Sequence, residues 1–140
     1  MASGSAALDE IVAKLKGSSD PKRRYEYVLW LAKKLPPAPA ELQCESNRGK
    51  GCVSQVFVQP QLDEGLLQWQ GDADAQITKG LLALLITGLN GLSAAEVVAV
   101  DPSFMAETGL QASLTPSRAN GFLNILRHMQ AQAAALAATA

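Results

Sequence analysis

Two cysteines, one histidine and a short run of glycines bound the chemistry open to this 140-residue chain. Cys52 stands in "RGKGCVSQVFV", residues 48–58, directly after Gly51 and just ahead of an alternating apolar run. Gly49 and Gly51 flank Lys50 and let the backbone make a tight, exposed loop. Arg48 and Lys50 put positive charge near the sulfur. Such charge favours the thiolate, the reactive form of cysteine. The same residues are compatible with a buried cysteine acting as a small hydrophobe, so spacing alone leaves both roles open. His128 falls beside Arg127 on a C-terminal helical pattern and reads as a surface or half-buried residue, not a catalytic partner. Cys44, Cys52 and His128 are too few for a metal site in one chain, because a cluster or a structural zinc needs about four ligands.

Other polar residues surround this motif in sequence. Asp72 and Asp74 precede a long apolar pattern. Their plain reading is a turn residue and an N-cap; the functional one is a carboxylate surface that meets a partner or holds the cysteine loop by hydrogen bonds. Ser54 and Gln55 follow the thiol, and Gln55 either bonds the loop or faces water. Arg118 stands near a helix start, where a cation opposes the macrodipole. It serves a partner, the Cys52 loop or a surface ion pair. Lys79 reads as solvated.

The elements that must position these groups follow from periodicity. Leu8, Ile11, Val12 and Leu15 share one helical face. Asp20 and Pro21 read as the N-cap and first residue of a second helix, which "LPPAP" breaks. Residues 40–51 read as a loop. "VSQVFVQ" is a strand, "PQLDEG" a turn with Gly65 at positive φ, and "LLQWQGDAD" a second strand with Leu67 and Trp69 on one face. A third strand is open to the loop segment or to "GDAD". Asp74 is placed to cap "AQITKGLLALLITGLNG", apolar on nearly every face and so central, with Gly91 after it. "SAAE" reads as a capping box, and Asp101-Pro102 as the start of a short helix. Thr115 and Pro116 open the last helix, with Phe122, Ile125, Leu126 and Met129 buried. The fold class is α+β, a small antiparallel sheet of two to three strands packed against helices. One domain spans 1–140. Residues 1–7 read as disordered or extraneous to the domain, and 131–140 as an Ala-rich helix end or linker.

Composition narrows the rest. The chain is 48% hydrophobic and 18% charged, with a net charge of −1. That balance argues against a nucleic-acid surface. The basic runs at Lys22–Arg24 and Lys33–Lys34 read as a solvated helix face. No apolar stretch of about 18 residues predicts a membrane span. "MASGSAALDE" lacks the charged and apolar regions of a signal peptide.

"GCVSQVFV" resembles the Gly-Cys-x-Ser-Gln-Val-aromatic motif of the SufE family, sulfur acceptors for cysteine desulfurases. "DPKRRYEYVLWLAKKLPPAP", "GDADAQITKGLLALL" and "LTPSRANGF" resemble three further segments of that family, in the same order. The "GCVSQV" and "TPSRANGFLNIL" runs look closest to its plastid and cyanobacterial branch. The resemblance implies a SufE/IscU-like fold. It also implies that Cys52 takes a sulfane sulfur from the persulfide of a pyridoxal-phosphate cysteine desulfurase of the SufS or NifS kind, stimulates it, and passes the sulfur to an iron–sulfur scaffold. Pyridoxal phosphate then belongs to the partner; this chain carries no cofactor and no metal. Scaffolds of the same fold use several cysteines, so two favour the carrier role.

In the family the loaded loop tucks its sulfur into an apolar pocket and swings out to the partner, a motion Gly49 and Gly51 would permit. The branch implies the plastid stroma, as a mature domain without its transit peptide, or a bacterial or cyanobacterial cytoplasm. A monomer is the default. Two departures stand out. Phe57 replaces a tryptophan. Cys44 stands where a polar, non-thiol residue is usual. It reads as buried, or else as the partner of Cys52 in a redox-switch disulfide. The competing function is a thiol-redox regulator or interaction module without sulfur flux.

Overall fold

A computed structural model describes residues 5–44, 47–48 and 55–139. The elements run α1 (Ala6–Lys16), α2 (Pro21–Lys34), a 3₁₀ turn (Ala40–Leu42), β1 (Val56–Asp63), β2 (Leu66–Ala73), α3 (Gln76–Leu89), α4 (Ala94–Ala99), α5 (Phe104–Glu107), a second 3₁₀ turn (Leu110–Ala112) and α6 (Pro116–Thr139). This is the α+β architecture expected, with a two-stranded antiparallel sheet. No helix among the described residues is long and apolar enough to cross a membrane.

α3 is the axis of the molecule. Eleven of its fourteen residues are buried, because it packs on β2 as well as on α1, α2 and α6. Gly80 permits a close approach: a Cβ there would overlap the Val28 carbonyl oxygen of α2. Leu8, Ile11, Val12 and Leu15 bury the α1 face, and Phe122, Ile125, Leu126, Met129 and Ala133 that of α6.

The helix ends use the predicted chemistry. Asp20 accepts the Lys22 N–H at 2.9 Å with Pro21 behind it. Ser93 and Glu96 form a capping box, and the Ser93 N–H and then its hydroxyl hold the Glu96 carboxyl below its usual range. Thr115 Oγ1 accepts the Arg118 N–H at 3.3 Å. Asp101-Pro102 makes a turn instead of a helix start: Asp101 accepts the Ser103 N–H and α5 begins at Phe104.

The two termini and the hairpin turn need comment. Residues 5–7 are part of the fold. Ser5 is buried, accepts the Leu8 N–H at 3.1 Å and donates to the Gly88 carbonyl, so it caps α1 and ties it to α3. Of the two readings for 131–140, the structure has the helix end: α6 runs through Thr139, since alanine costs least in a helix. "PQLDEG" is mostly strand. β1 continues through Pro60, and Glu64 and Gly65 alone make the turn, with φ of 51° and 82°. Alternation from this two-residue turn puts Pro60 and Trp69 at a non-hydrogen-bonded pair, where a missing N–H costs the ladder nothing. The Trp69 N–H accordingly points away from β1, to Asn90 Oδ1 at 2.8 Å. Of the third strand, the described residues hold one bridge, Arg48 opposite Phe57 on the outer edge of β1.

The crowding at Gly80 predicts that Gly80→Ala destabilises by about 1–3 kcal/mol. Gly121→Ala on α6, with open space around the new methyl, should gain up to ~1 kcal/mol. Urea unfolding midpoints decide, and equal midpoints for the two variants would contradict the packing described.

Candidate functional site

The site is built at the open end of the hairpin, where β1 begins and β2 ends. Cys52 itself, with Gly49, Lys50, Gly51 and Ser54, lies outside the described residues. What the structure gives is the anchorage on either side of that segment.

On the C-terminal side, Gln55 is held by Asp74. The Asp74 N–H donates to the Gln55 carbonyl at 3.1 Å, and the Gln55 N–H donates to Asp74 Oδ1 at 3.0 Å. Asp74 therefore does not cap α3; Ala75 occupies the N-cap position without a side-chain bond. The physical reason is register. Past the last named pair, Val56 opposite Ala73, the hairpin continues by one step, and the Asp74 carboxylate supplies the second acceptor. Of the two readings for Asp74, the structure shows the carboxylate that holds the loop's end. The Gln55 side chain is exposed.

Asp72 sits one step back. Its Oδ1 accepts the Ala73 N–H at 2.8 Å and meets Lys79 Nζ at 3.3 Å. Lys79 is thus no freely solvated lysine: its side chain is 24% exposed and pinned across the β2–α3 turn. Gln43, Gln55, Phe57, Asp72, Ala73 and Asp74 line a depression of about 120 Å³ at this end.

On the N-terminal side, the post is Asn47. It is buried, and its Nδ2 donates to the Leu42 carbonyl at 2.9 Å and contacts Cys44 Sγ at 3.3 Å. Leu42 turns into the core, Asn47 folds the next turn over it, and Arg48 bridges to Phe57. This turn leaves Cys44 exposed, which corrects the expectation of a buried thiol. Arg118 is half-buried on the first turn of α6, and the Cys52 segment that it was expected to serve lies outside the described residues. Farther along the same helix the Gln132 amide donates to the Val58 carbonyl at 2.7 Å. Asn47, Gln43 and Lys79 are the contributors that sequence reasoning missed. The signal for Asn47 was its place in a polar, glycine-punctuated loop, where an asparagine amide mimics backbone. Among the described residues, no group of three or more His, Cys, Asp or Glu is placed to hold a metal ion.

The tie at Gln55 carries a prediction. In Asp74→Ala, amide exchange at Gln55 should quicken by about tenfold, while global stability moves by less than ~1 kcal/mol, the scale of one exposed hydrogen bond. Unchanged exchange at Gln55 would show that the carboxylate does not hold the strand.

Comparison with known proteins bears on the family and the fold. Residues 9–133 match the SufE family, described as an Fe-S metabolism associated domain. A SufE-like protein of Synechocystis is 52% identical over 91% of this chain and 80% of its own length. The "SufE-like protein 1, chloroplastic/mitochondrial" of Arabidopsis thaliana is 41% identical over 90% of this chain but 34% of its own length. The "Cysteine desulfuration protein SufE" of Plasmodium vivax is 39% identical over 81% of this chain and 46% of its own. The chain thus spans a third to a half of these two longer relatives. A solution structure of a hypothetical protein from Thermus thermophilus superposes with a TM-score of 0.81 at 27% identity, over 96% of this chain and 98% of that one. The matched span, the relatives and the shared fold establish that this chain belongs to the SufE family, a domain family associated with iron–sulfur metabolism.

Proposed function

We propose that the chain is a sulfur acceptor whose Cys52 takes a sulfane sulfur from a cysteine desulfurase, stimulates that enzyme and passes the sulfur on for iron–sulfur cluster assembly. The observation that carries the proposal is the anchorage of the Cys52 segment at both ends, by the Arg48–Phe57 bridge and the Asp74–Gln55 pair, in a chain of this family. The Plasmodium relatives, named cysteine desulfuration proteins, support a desulfurase of the SufS or NifS kind as partner. The pyridoxal phosphate sits on that partner. The plant and cyanobacterial relatives support a plastid stroma or a cyanobacterial cytoplasm.

The step needs no oxidant. The Cys52 thiolate attacks the outer sulfur of the partner's persulfide. A new S–S bond forms at Cys52, the partner's S–S bond breaks, and the electron pair leaves on the partner's cysteine thiolate. Rate follows thiolate fraction, nucleophilicity and access. Arg48 and Lys50 favour the thiolate, and Gly49 and Gly51 let the thiol reach out while the flanking posts stay put.

The test is alanine production by a cysteine desulfurase supplied with cysteine. Wild type accelerates it, Cys52→Ser abolishes the acceleration, and Cys44→Ser keeps most of it. The double variant Gly49→Ala, Gly51→Ala is slower than wild type. Acceleration by Cys52→Ser equal to wild type would overturn the assignment.

A second reading rests on the exposure of Cys44, eight residues before Cys52. If the pair closes a disulfide, oxidised protein loses two hydrogens by intact mass and Cys44→Ser prevents it. No such loss removes the redox switch.

A further inference from the structure

The outer side of α1 and α2 carries a groove that none of this chemistry uses. Arg23, Tyr27, Trp30 and Lys34 form a stripe along α2 at helical spacing. The Tyr27 and Trp30 rings stack with centroids 5.7 Å apart and planes 18° apart. The Lys34 ammonium lies 5.1 Å from the Trp30 centroid. Trp30 is nonetheless 48% exposed, whereas the chain's other tryptophan, Trp69, is 4% exposed. Three depressions meet at Tyr27. One of about 460 Å³ lies over Arg23, Tyr27 and Trp30. One of about 270 Å³ lies between the helices, against Ile11, Lys14, Trp30 and Lys34. One of about 670 Å³ runs toward the α1–α2 turn.

Charge says what would fit. Residues 14–34 hold seven of the chain's twelve Lys and Arg but only two of its thirteen Asp and Glu, although the whole chain is slightly acidic. Arg24 is engaged with the Leu15 and Gly109 carbonyls, and Lys16 with Glu107 at 3.9 Å. Lys14, Arg23 and Lys34 are left around the rings. Glu10 and Glu26 also line the groove, which disfavours a polyphosphate more than a peptide that places its carboxylates selectively. Burial and then the Glu10 carboxylate push the Tyr27 phenol above its ordinary value.

We propose that this face is a second docking surface, taking an acidic segment of a partner protein that lays an aromatic or leucine anchor on Tyr27 and Trp30 and its carboxylates on Lys14, Arg23 and Lys34. Trp, Tyr and Arg are the residue types that dominate interface energetics, and Arg binds carboxylates by paired hydrogen bonds. The groove is lined by α1, α2 and their connecting turn, with Thr87 of α3, and shares no residue with the depression at the end of the hairpin.

The experiment is fluorescence anisotropy of the full chain with a labelled amphipathic peptide of roughly 18 residues, leucine and phenylalanine at i, i+3, i+4, i+7 and glutamate elsewhere. Saturable binding is expected. Trp30→Ala, and separately Arg23→Glu with Lys34→Glu, should each weaken it by about tenfold or more, as should glutamine in place of the peptide's glutamates. Cys52→Ser should bind as wild type does. All these protein variants alter exposed positions or the Cys52 segment, and unchanged unfolding midpoints confirm their fold. Absence of saturable binding, binding indifferent to the α2 variants, or equal affinity for a single-stranded RNA of the same charge would each overturn the proposal.

Discussion

The reciprocal hydrogen bonds between Asp74 and Gln55 are the constraint on which the rest of the site depends. A segment that presents a thiol to another protein has to be fixed where it joins the fold. A single exposed pair contributes only about 1 kcal/mol, so its importance is register and not stability. It extends the hairpin one step beyond the Val56–Ala73 pair, and so fixes where the strand after Cys52 begins. That pair in turn relies on β2 lying on α3, which is possible because α3 is apolar on almost every side.

Much of this was legible from residue types. Helix starts at Asp20, Ser93 and Thr115 were readable because a short polar side chain before a helical pattern has one dominant use. The central position of α3 followed from apolar residues all round it. The length of β1 was not readable, because Pro60 ordinarily ends a strand and only the register shows that it falls at a harmless position. Asp74 has two readings in the sequence for a related reason. Its local sequence suits an N-cap, and the competing acceptor role depends on a residue nineteen positions away. Lys79 and Asn47 depended on partners across a turn, and composition does not disclose those.

Cys44 illustrates the limit in the other direction. Cysteine is among the most buried residue types, so burial was the natural expectation. The structure spends the inward position of that turn on Leu42 and lets Asn47 cover it, which leaves the sulfur outside. The charge pattern behaves similarly. The basic residues of α2 look like an ordinary solvated face in sequence, and only the stacking of Tyr27 on Trp30 shows that they frame an aromatic surface. The fold thus carries two kinds of surface with no residue in common: a small polar end that anchors the strand after Cys52, and a broader basic, aromatic groove on α1 and α2.

The central claim is that the sulfur of Cys52 leaves its anchored loop far enough to accept a second sulfur from another protein. Intact-mass and peptide mass spectrometry, after incubation with a cysteine desulfurase, pyridoxal phosphate and cysteine, measure this directly. The account predicts the mass of one added sulfur on the peptide that contains Cys52, reversed by a reductant and absent without the desulfurase. A Cys52 peptide of unmodified mass beside a desulfurase shown to be turning over would contradict it.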